Sequence, residues 1–209
     1  MNPINVDFLA SALCERGVAS TLEEFGEWFA SRRQAQRITV ERIPFKAMKG
    51  WNFEASTGNL AHETGRFFKI EGVWVETNYG FKPQWSQPII NQPEIGILGI
   101  LAKKMGGVLH FLMQAKTEPG NLNGIQLAPT LQATRSNFTR AHKGRQPPYL
   151  EYFIEPGRHR PLVDVLQSEQ GARFLRKRNR NIILEVFGEV PVLEDFVWLT
   201  LGQIHRLMQ

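Results

Sequence analysis

Ionisable and amide side chains are concentrated between Gly107 and Arg140, in the run GVLHFLMQAKTEPGNLNGIQLAPTLQATRSNFTR. Three residues in this run suit acid–base chemistry: His110, Lys116 and Glu118. Histidine and carboxylate side chains transfer protons in catalysis, and an ammonium group stabilises a developing oxyanion. The surrounding amides and hydroxyls match a polyhydroxylated, phosphorylated ligand, because such a ligand needs many hydrogen bonds.

The segment VLHFLMQAKTE predicts a strand whose residues alternate between the two faces of a sheet. Its apolar face would carry Leu109, Phe111, Met113 and Ala115. Its other face becomes polar toward the end and would carry Val108, His110, Leu112, Gln114, Lys116 and Glu118. Pro119-Gly120 then predicts a turn. The polar face therefore predicts one wall of a cleft; the alternative is a solvated face with an ion pair.

Many hydrogen-bond donors follow this strand, and the candidates for substrate binding are Gln114, Asn121, Asn123, Gln126, Gln132, Arg135, Ser136, Asn137 and Arg140. Arg135 and Arg140 are the expected phosphate ligands, because guanidinium groups bind phosphate oxygens in bidentate fashion. A short helix over 136–142, starting at Thr134 or Ser136, would add backbone N–H groups for an anion. Capping and loop hydrogen bonds are the alternative for several of these residues.

Aromatic residues precede this segment, and Trp51 and Trp85 are candidates for stacking on a nucleobase. Most aromatic residues of a sheet protein instead belong to its core. His62 lies in a predicted loop and is a further candidate acid or base.

Helical spacing predicts a helix over 5–16 and a second one that begins with the capping-box pattern at Thr21 and ends at 32–37. A third helix is predicted from Pro161, with the basic run 173–180 as its solvated end. A capping-box pattern at Thr200 predicts a closing helix.

Apolar and alternating runs predict strands in ITVERI (38–43), EIGILGILAK, VLHFLMQAK, IQLAPTLQA with a break at Pro129, YLEYFI and NIILEVF. RFFKI and VWVET predict a hairpin that turns at Glu71-Gly72. The expected fold class is α+β, with a mostly antiparallel sheet flanked by helices. We expect one domain over residues 1–209, in which 1–37 form an N-terminal helical segment.

Composition favours a soluble, cytoplasmic protein with an anionic partner. The 209 residues carry a net charge of +5, and the sequence pI is about 9.6. Cys14 is the single cysteine, which excludes an intrachain disulfide. We expect no membrane span, because no apolar run approaches about 20 residues. The absence of a nucleic-acid-binding motif argues against a nucleic-acid partner.

Several long runs resemble the NDP-hexose 2,3-dehydratases between Trp51 and Leu207: HETGRFFKIEG, QPIINQPEIGILGIL, GVLHFLMQAKTEPGN, GIQLAPTLQATRSNFTR, YLEYF, LQSEQGARFLRKRNRN and FVWLTLGQI. The resemblance implies a Nudix-like fold and dehydration of a nucleotide-linked 4-keto-6-deoxyglucose. It implies no metal or redox cofactor. The Nudix box that binds Mg²⁺ for pyrophosphate hydrolysis is absent from this sequence, which disfavours metal-dependent hydrolysis.

For this reaction we expect Glu118 to act as base or acid, with His110 and His62 as rivals. Lys116 would stabilise the enolate, and Arg135 and Arg140 would bind the pyrophosphate. Members of the family usually carry two such modules in one chain, so we expect this chain to form a homodimer. We also expect a ketoreductase to act downstream on the product. A non-catalytic nucleotide-sugar binding module and an enzyme for another activated sugar are the alternatives.

Overall fold

A computed structural model describes residues 3–134, 146–155 and 157–209 of the chain. Its helices are α1 (Pro3–Leu13), α2 (Leu22–Ala35), a 3₁₀ turn (Phe45–Ala47), α3 (Leu150–Ile154) and α4 (Leu201–Leu207). Its strands are β1 (Trp51–Phe53), β2 (Leu60–His62), β3 (Lys69–Glu76), β4 (Gln84–Asn91), β5 (Gly96–Met105), β6 (Val108–Thr117), β7 (Ile125–Pro129), β8 (Leu131–Ala133), β9 (Arg160–Ser168), β10 (Arg178–Glu185) and β11 (Phe196–Leu199).

The strands form two sheets. The smaller sheet has the order β1-β2-β3-β4, and the larger has the order β11-β6-β5-β10-β9, with β7 added to β6 and β8 added to β5. All of these pairs are antiparallel except β5 with β10. The α+β class with mostly antiparallel strands is therefore confirmed.

The two sheets meet at Ile90, near the end of β4. Its N–H donates to the carbonyl of Arg173 at 2.8 Å, and its carbonyl accepts from the N–H of Leu175 at 2.9 Å. A parallel bridge pairs Ile90 with Phe174. These bonds fix the 169–177 loop of the larger sheet against the smaller one.

Strands β5 and β6 form a fork. They pair with each other only where residues 102–105 face 108–111. Before this, β5 pairs through 97–99 with β8; after it, β6 pairs through 113–117 with β7. The two strands therefore diverge, with β7 and β8 filling the space between them.

Thr130, between β7 and β8, bridges the two arms where the fork opens. Its hydroxyl accepts from the N–H of Leu101 at 3.0 Å and donates to the carbonyl of Leu112. Leu101 and Leu112 are the first residues on each arm beyond the direct β5–β6 pairs. Thr130 is only 2% exposed, so a buried side chain supplies the bonds that the partner strand would otherwise provide.

Apolar side chains pack on both faces of the larger sheet. On one face α3 covers the sheet, and Phe153 lies directly over Gly99, where any Cβ would collide with the phenyl ring. On the other face Leu109 and Phe111 pack beneath Phe8 of α1 and residues of α4. The middle of β6 is therefore covered by apolar side chains on both of its faces. No helix in the described ranges combines the length and apolar character that crossing a bilayer requires.

Two capping boxes, both expected from the sequence, start α2 and α4. The hydroxyl of Thr21 accepts from the N–H of Glu24 at 3.2 Å, and that of Thr200 from the N–H of Gln203 at 3.1 Å. The environments differ, since Thr21 belongs to the exposed surface while Thr200 is fully buried. The hydroxyl of Thr200 also donates to the carbonyl of Cys14, which ties α4 to the chain after α1.

We therefore expect Thr200→Ala to destabilise the fold more than Thr21→Ala. Loss of an exposed cap costs about 1 kcal/mol. Thr200→Ala additionally leaves the Cys14 carbonyl without this partner in a buried setting, which adds roughly 1–3 kcal/mol. Urea unfolding of both variants measures the difference. Equal losses in the two variants would contradict a role for Thr200 beyond capping.

Several predicted elements are wrong. Residues 38–43 form no strand. RFFKI and VWVET are not a hairpin at Glu71-Gly72: residues 69–76 form the single strand β3, in which Gly72 faces Pro88 of β4. The real turn lies at 77–83, because β4 offers a full antiparallel partner to β3.

Two further errors exchange helix and strand. YLEYFI is not a strand, because Leu150 and Phe153, three residues apart, are both buried on one side of helix α3. The helix predicted from Pro161 is strand β9, which pairs antiparallel with β10. The basic run 173–180 is consequently a loop and the start of β10 instead of a solvated helix end. Tertiary pairing with NIILE outweighs the local helix pattern here.

Candidate active site

A cleft of about 340 Å³ opens at the fork between β5 and β6. It is lined by Gln92, Gly96, Ile97, Leu98, Lys116, Glu118, Gln132, Ala133, Thr134, Glu169, Phe174, Lys177 and Asn179. The lining comes from the start of β5, the ends of β6 and β8, and the 169–177 loop. Divergence of the two strands thus creates a polar cavity next to a packed core.

Lys116 and Glu118 lie side by side in this cleft, as alternation along β6 predicts. The ammonium nitrogen of Lys116 lies 2.8 Å from Oε1 of Glu118 and donates to Oε1 of Gln132 at 3.2 Å. Their side chains are 28% and 43% exposed. A pair this exposed contributes no more than about 1 kcal/mol to stability. Its effect in the cleft is to orient the carboxylate and to balance the charge of Lys116.

The cleft wall opposite this pair contains Lys177, Asn179 and Glu169. The side-chain amide of Asn179 donates to Oε2 of Glu169 at 2.8 Å, and its oxygen accepts from the N–H of Gly96 at 3.3 Å. A Cβ at Gly96 would come within 2.9 Å of that oxygen, so glycine permits the close approach. Lys177 is 5% exposed, and its ammonium donates to the backbone carbonyl of Glu94. Burial lowers the pKa of Lys177.

These three residues were not predicted from the sequence, because the segment was interpreted as a helix with a solvated basic end. A usable signal was present: Lys177 and Asn179 are two apart and continue the alternation of the strand NRNIILE. Both side chains are buried at the start of β10.

Arg135, Ser136, Asn137 and Arg140 lie outside the described residues, as does the helix expected over 136–142. Their role in phosphate binding stays a prediction. Thr134, the residue immediately before this segment, lines the cleft.

His110 does not lie in the cleft, contrary to the expectation from alternation. It is 0% exposed, its Nε2 accepts from the N–H of Val18 at 3.0 Å, and its Nδ1 lies 3.0 Å from the carbonyl oxygen of Val108. Nε2 therefore anchors the segment between α1 and α2, while Nδ1 bonds within β6 itself. On this face His110 and Leu112 are buried, whereas Gln114 and Lys116, further along β6, are partly exposed.

Burial lowers the pKa of His110, chiefly by desolvating the imidazolium. Unfolded His110 takes up a proton near the ordinary histidine pKa of about 6.5, while the folded protein keeps the neutral ring to lower pH. Stability from this residue is therefore complete above that pH and falls on acidification, by at most about 1.4 kcal/mol per pH unit. We expect His110→Gln to be less stable at pH 7.5 and to lose less stability between pH 7.5 and 5.5 than wild type. Equal losses of unfolding free energy between pH 7.5 and 5.5 in wild type and His110→Gln, measured by urea unfolding, would contradict this.

His62, Trp51 and Trp85 belong to the smaller sheet and do not line the cleft. His62 packs against Trp51 and Phe67 at centroid distances of 5.4 and 4.4 Å, and its Nδ1 lies 2.9 Å from the hydroxyl of Thr64. Strands β1 and β2 are separated from β4 by β3, so this cluster lies at the far edge of the sheet.

Trp85 has a structural contact near the 169–177 loop. Its indole N–H donates to Oε1 of Gln87 at 2.8 Å, and the amide of Gln87 donates to the carbonyl of Ala172 at 2.7 Å. Trp85 thus supports the loop that carries one cleft wall.

Of the remaining predicted binding residues, most lie outside the cleft. The side-chain amide of Asn121 donates to the carbonyls of Lys116 and Gly124 at 3.2 and 3.0 Å, which closes the turn after β6. Asn123 and Gln126 line a separate groove of about 430 Å³ beside α2 and α4. Gln114 lies on β6 opposite Phe196 and does not line the cleft. Gln132 is the predicted amide that does.

Within the described ranges, no group of three or more His, Cys, Asp or Glu side chains is arranged to bind a metal ion.

Comparison with known proteins gives three curated relatives at 50–58% identity. The chain is 58% identical over 204 residues to dTDP-4-dehydro-6-deoxy-alpha-D-glucopyranose 2,3-dehydratase of Saccharopolyspora spinosa, covering 97% of this chain and 42% of the relative. It is 55% identical over 203 residues to the protein of that name from Amycolatopsis orientalis, covering 95% and 43%. The chain thus spans less than half the length of these relatives.

Among solved structures, the chain is similar to a Nudix hydrolase from M. smegmatis, RenU, with a TM-score of 0.37 and 15% identity. The similarity covers 64% of this chain and 83% of the other. A TM-score this low carries no argument about fold, so the fold assignment rests on the strand pairings described above.

The family model for NDP-hexose 2,3-dehydratase matches residues 22–209, which run from the start of α2 to the last residue of the sequence. This match and the high identity to the curated relatives show that the chain belongs to the NDP-hexose 2,3-dehydratase family.

Proposed function

We propose that this protein removes water across carbons 2 and 3 of a dTDP-linked 4-keto-6-deoxyglucose. The observation that carries the proposal is the paired Lys116 and Glu118 in an open polar cleft, facing a second, buried cation at Lys177. The substrate class is taken from the names of the relatives.

The chemistry requires a base beside the sugar ring. A ketone at carbon 4 acidifies the hydrogen at carbon 3, and its removal gives an enolate. Expulsion of the hydroxyl at carbon 2 then gives an enol, which takes a proton at carbon 2 as it becomes a diketone. In the gluco configuration the hydrogen at carbon 3 and the hydroxyl at carbon 2 lie on the same face of the ring. One carboxyl group can therefore accept the first proton and return it to the leaving hydroxyl.

Glu118 is the candidate for this carboxyl group. His110 is enclosed in the core and His62 lies on the smaller sheet, whereas Glu118 lines the cleft. Glu169 also lines the cleft, but one of its oxygens accepts the Asn179 amide. Lys116 contacts the Glu118 carboxylate at 2.8 Å and thereby fixes its position in the cleft.

Phosphate binding is assigned to the segment after β8. Thr134 lines the cleft at the point where this segment begins, and Arg135 and Arg140 follow in the sequence. Two guanidinium groups suit a diphosphate, because each can donate two parallel hydrogen bonds. Gln132, Ser136 and Asn137 are the proposed hydrogen-bonding partners of the sugar and phosphates.

The function is tested by incubating the purified protein with dTDP-4-keto-6-deoxyglucose and a ketoreductase that traps the product. Mass spectrometry should detect a trapped product that has lost one water and gained the two hydrogens of the reduction, and in deuterated water it should carry deuterium at carbon 2. Binding without water loss would instead indicate a nucleotide-sugar binding module. Turnover of only another activated sugar would correct the substrate. We also propose that the chain forms a homodimer, and light scattering on the purified protein alone should then report about twice the monomer mass.

A further inference from the structure

Lys177 is the most enclosed cation of the cleft and has no carboxylate partner among the described residues. Its ammonium donates to the backbone carbonyl of Glu94, while the carboxylates of Glu94 and Glu169 act on it only at longer range. Lys116, in contrast, is balanced by direct contact with Glu118. The cleft therefore contains one ammonium group in direct contact with a carboxylate and one, among the described residues, without such a contact.

A buried ammonium without a directly contacting carboxylate is unfavourable for the fold. Burial removes the charge from water, and a single backbone carbonyl replaces only part of its hydration. An apolar side chain of similar length would fill the same space at lower cost. Burial also favours the neutral amine and lowers the pKa of Lys177. A residue that opposes stability in a cleft in this way is typical of a functional site.

We propose that Lys177 is a catalytic residue whose ammonium binds the oxygen on carbon 4 of the sugar and stabilises the enolate. This inference rests on the proposed function and adds a specific role to it. It also transfers the expected role of Lys116, whose charge is already balanced, to the opposite wall of the cleft.

A single oxygen suits this ammonium better than a diphosphate. Lysine offers a point charge, and the ammonium of Lys177 donates to one backbone carbonyl while the residue is almost fully buried. A preorganised donor of this kind is most effective where negative charge develops on one atom during the reaction. A diphosphate, with several anionic oxygens, is better matched by the arginine side chains proposed above.

The electron flow is balanced without any further reagent. Glu118 takes the proton from carbon 3, and the C–H electron pair forms the double bond between carbons 3 and 4 while the carbonyl oxygen becomes an oxyanion beside Lys177. In the second step the oxyanion re-forms the carbonyl at carbon 4, and the pair of the double bond between carbons 3 and 4 becomes a double bond between carbons 2 and 3. The hydroxyl leaves carbon 2 with its bonding pair and takes the proton from Glu118 to give water. Lys177 keeps its proton throughout.

The test compares Lys177→Met with wild type and with Lys82→Met, an exposed lysine in the turn of the smaller sheet. We first measure affinity for two ligands that differ at carbon 4: dTDP-4-keto-6-deoxyglucose, and dTDP-6-deoxyglucose with a hydroxyl there. Wild type and Lys82→Met should bind the ketone more tightly, by about tenfold if one charge-assisted hydrogen bond is responsible. Lys177→Met should lose this preference while its affinity for dTDP alone changes less than threefold.

This binding comparison does not require turnover, so it separates the two proposals. If wild type shows the preference but releases no water, the proposed function fails while the contact to Lys177 stands. With an active wild type, Lys177→Met should lower kcat by about 10²–10³-fold. The inference would be overturned if Lys177→Met kept the preference for the ketone. It would also be overturned if this variant lost mainly affinity for dTDP and retained its kcat.

Stability separates a catalytic from a structural role. Lys177→Met removes a buried charge, so its unfolding midpoint in urea should match or exceed that of wild type. If the variant fails to fold, Lys177 is structural and the inference is wrong. Lys177→Arg provides a second variant, because it keeps the charge but moves the donor nitrogens. It should retain dTDP binding and lose most of kcat.

Discussion

Glu118→Gln is expected to lower kcat for dehydration by about 10²–10⁴-fold, since the amide cannot accept the proton from carbon 3. The change keeps the size of the side chain and its contact with Lys116 can persist through the amide oxygen. Substrate affinity should therefore change little, and kcat/KM should fall in parallel with kcat. Steady-state kinetics with trapped product measure both constants.

Two other variants sharpen this result. Glu76→Gln changes an exposed glutamate at the end of β3 and should retain wild-type activity. Glu169→Gln alters the other cleft glutamate whose oxygen accepts from Asn179. If Glu169→Gln abolishes turnover and Glu118→Gln does not, the base has been assigned to the wrong wall of the cleft.

Thr130→Val is expected to destabilise the protein by roughly 2–6 kcal/mol. The substitution preserves shape but removes the hydroxyl that bonds the N–H of Leu101 and the carbonyl of Leu112. Each of these buried backbone groups is then left without this partner, at about 1–3 kcal/mol apiece. Because these bonds hold the fork between β5 and β6, the cleft should also bind the nucleotide sugar more weakly. Urea unfolding and calorimetric binding measure the two effects.

The matched control is Thr57→Val, which removes a hydroxyl from an exposed loop of the smaller sheet. Water can replace the hydrogen bonds of Thr57 to Glu54 and Asn59, so the loss should stay below about 1 kcal/mol. A similar small loss for Thr130→Val would show that the fork does not depend on the threonine hydroxyl.

Alternation along the strand was sufficient to place Lys116 and Glu118 together, because residues two apart in an extended segment point to the same face. The same rule put His110 on the polar face, which was wrong about its environment. A strand buried on both faces encloses the histidine, and the number of covering layers is not visible in the period of one strand.

The opposite wall of the cleft was missed because it depends on long-range pairing. The segment from Pro161 carries a helix-like pattern, yet β10 provides it with a strand partner. Once β9 and β10 form, Lys177 and Asn179 turn from surface residues into buried ones beside β5. Capping boxes at Thr21 and Thr200 were predicted correctly, since their hydrogen bonds join residues only three apart.

If Glu118 removes the hydrogen at carbon 3 of a nucleotide-linked 4-keto sugar, a label at that position must pass through its carboxylate. The experiment uses dTDP-4-keto-6-deoxyglucose labelled with deuterium at carbon 3 and follows release of the label into water. We expect wild-type protein to release the label as product forms, and Glu118→Gln to bind the sugar but retain the label. Release by Glu118→Gln at the wild-type rate, or water loss with the label kept at carbon 3, would contradict it.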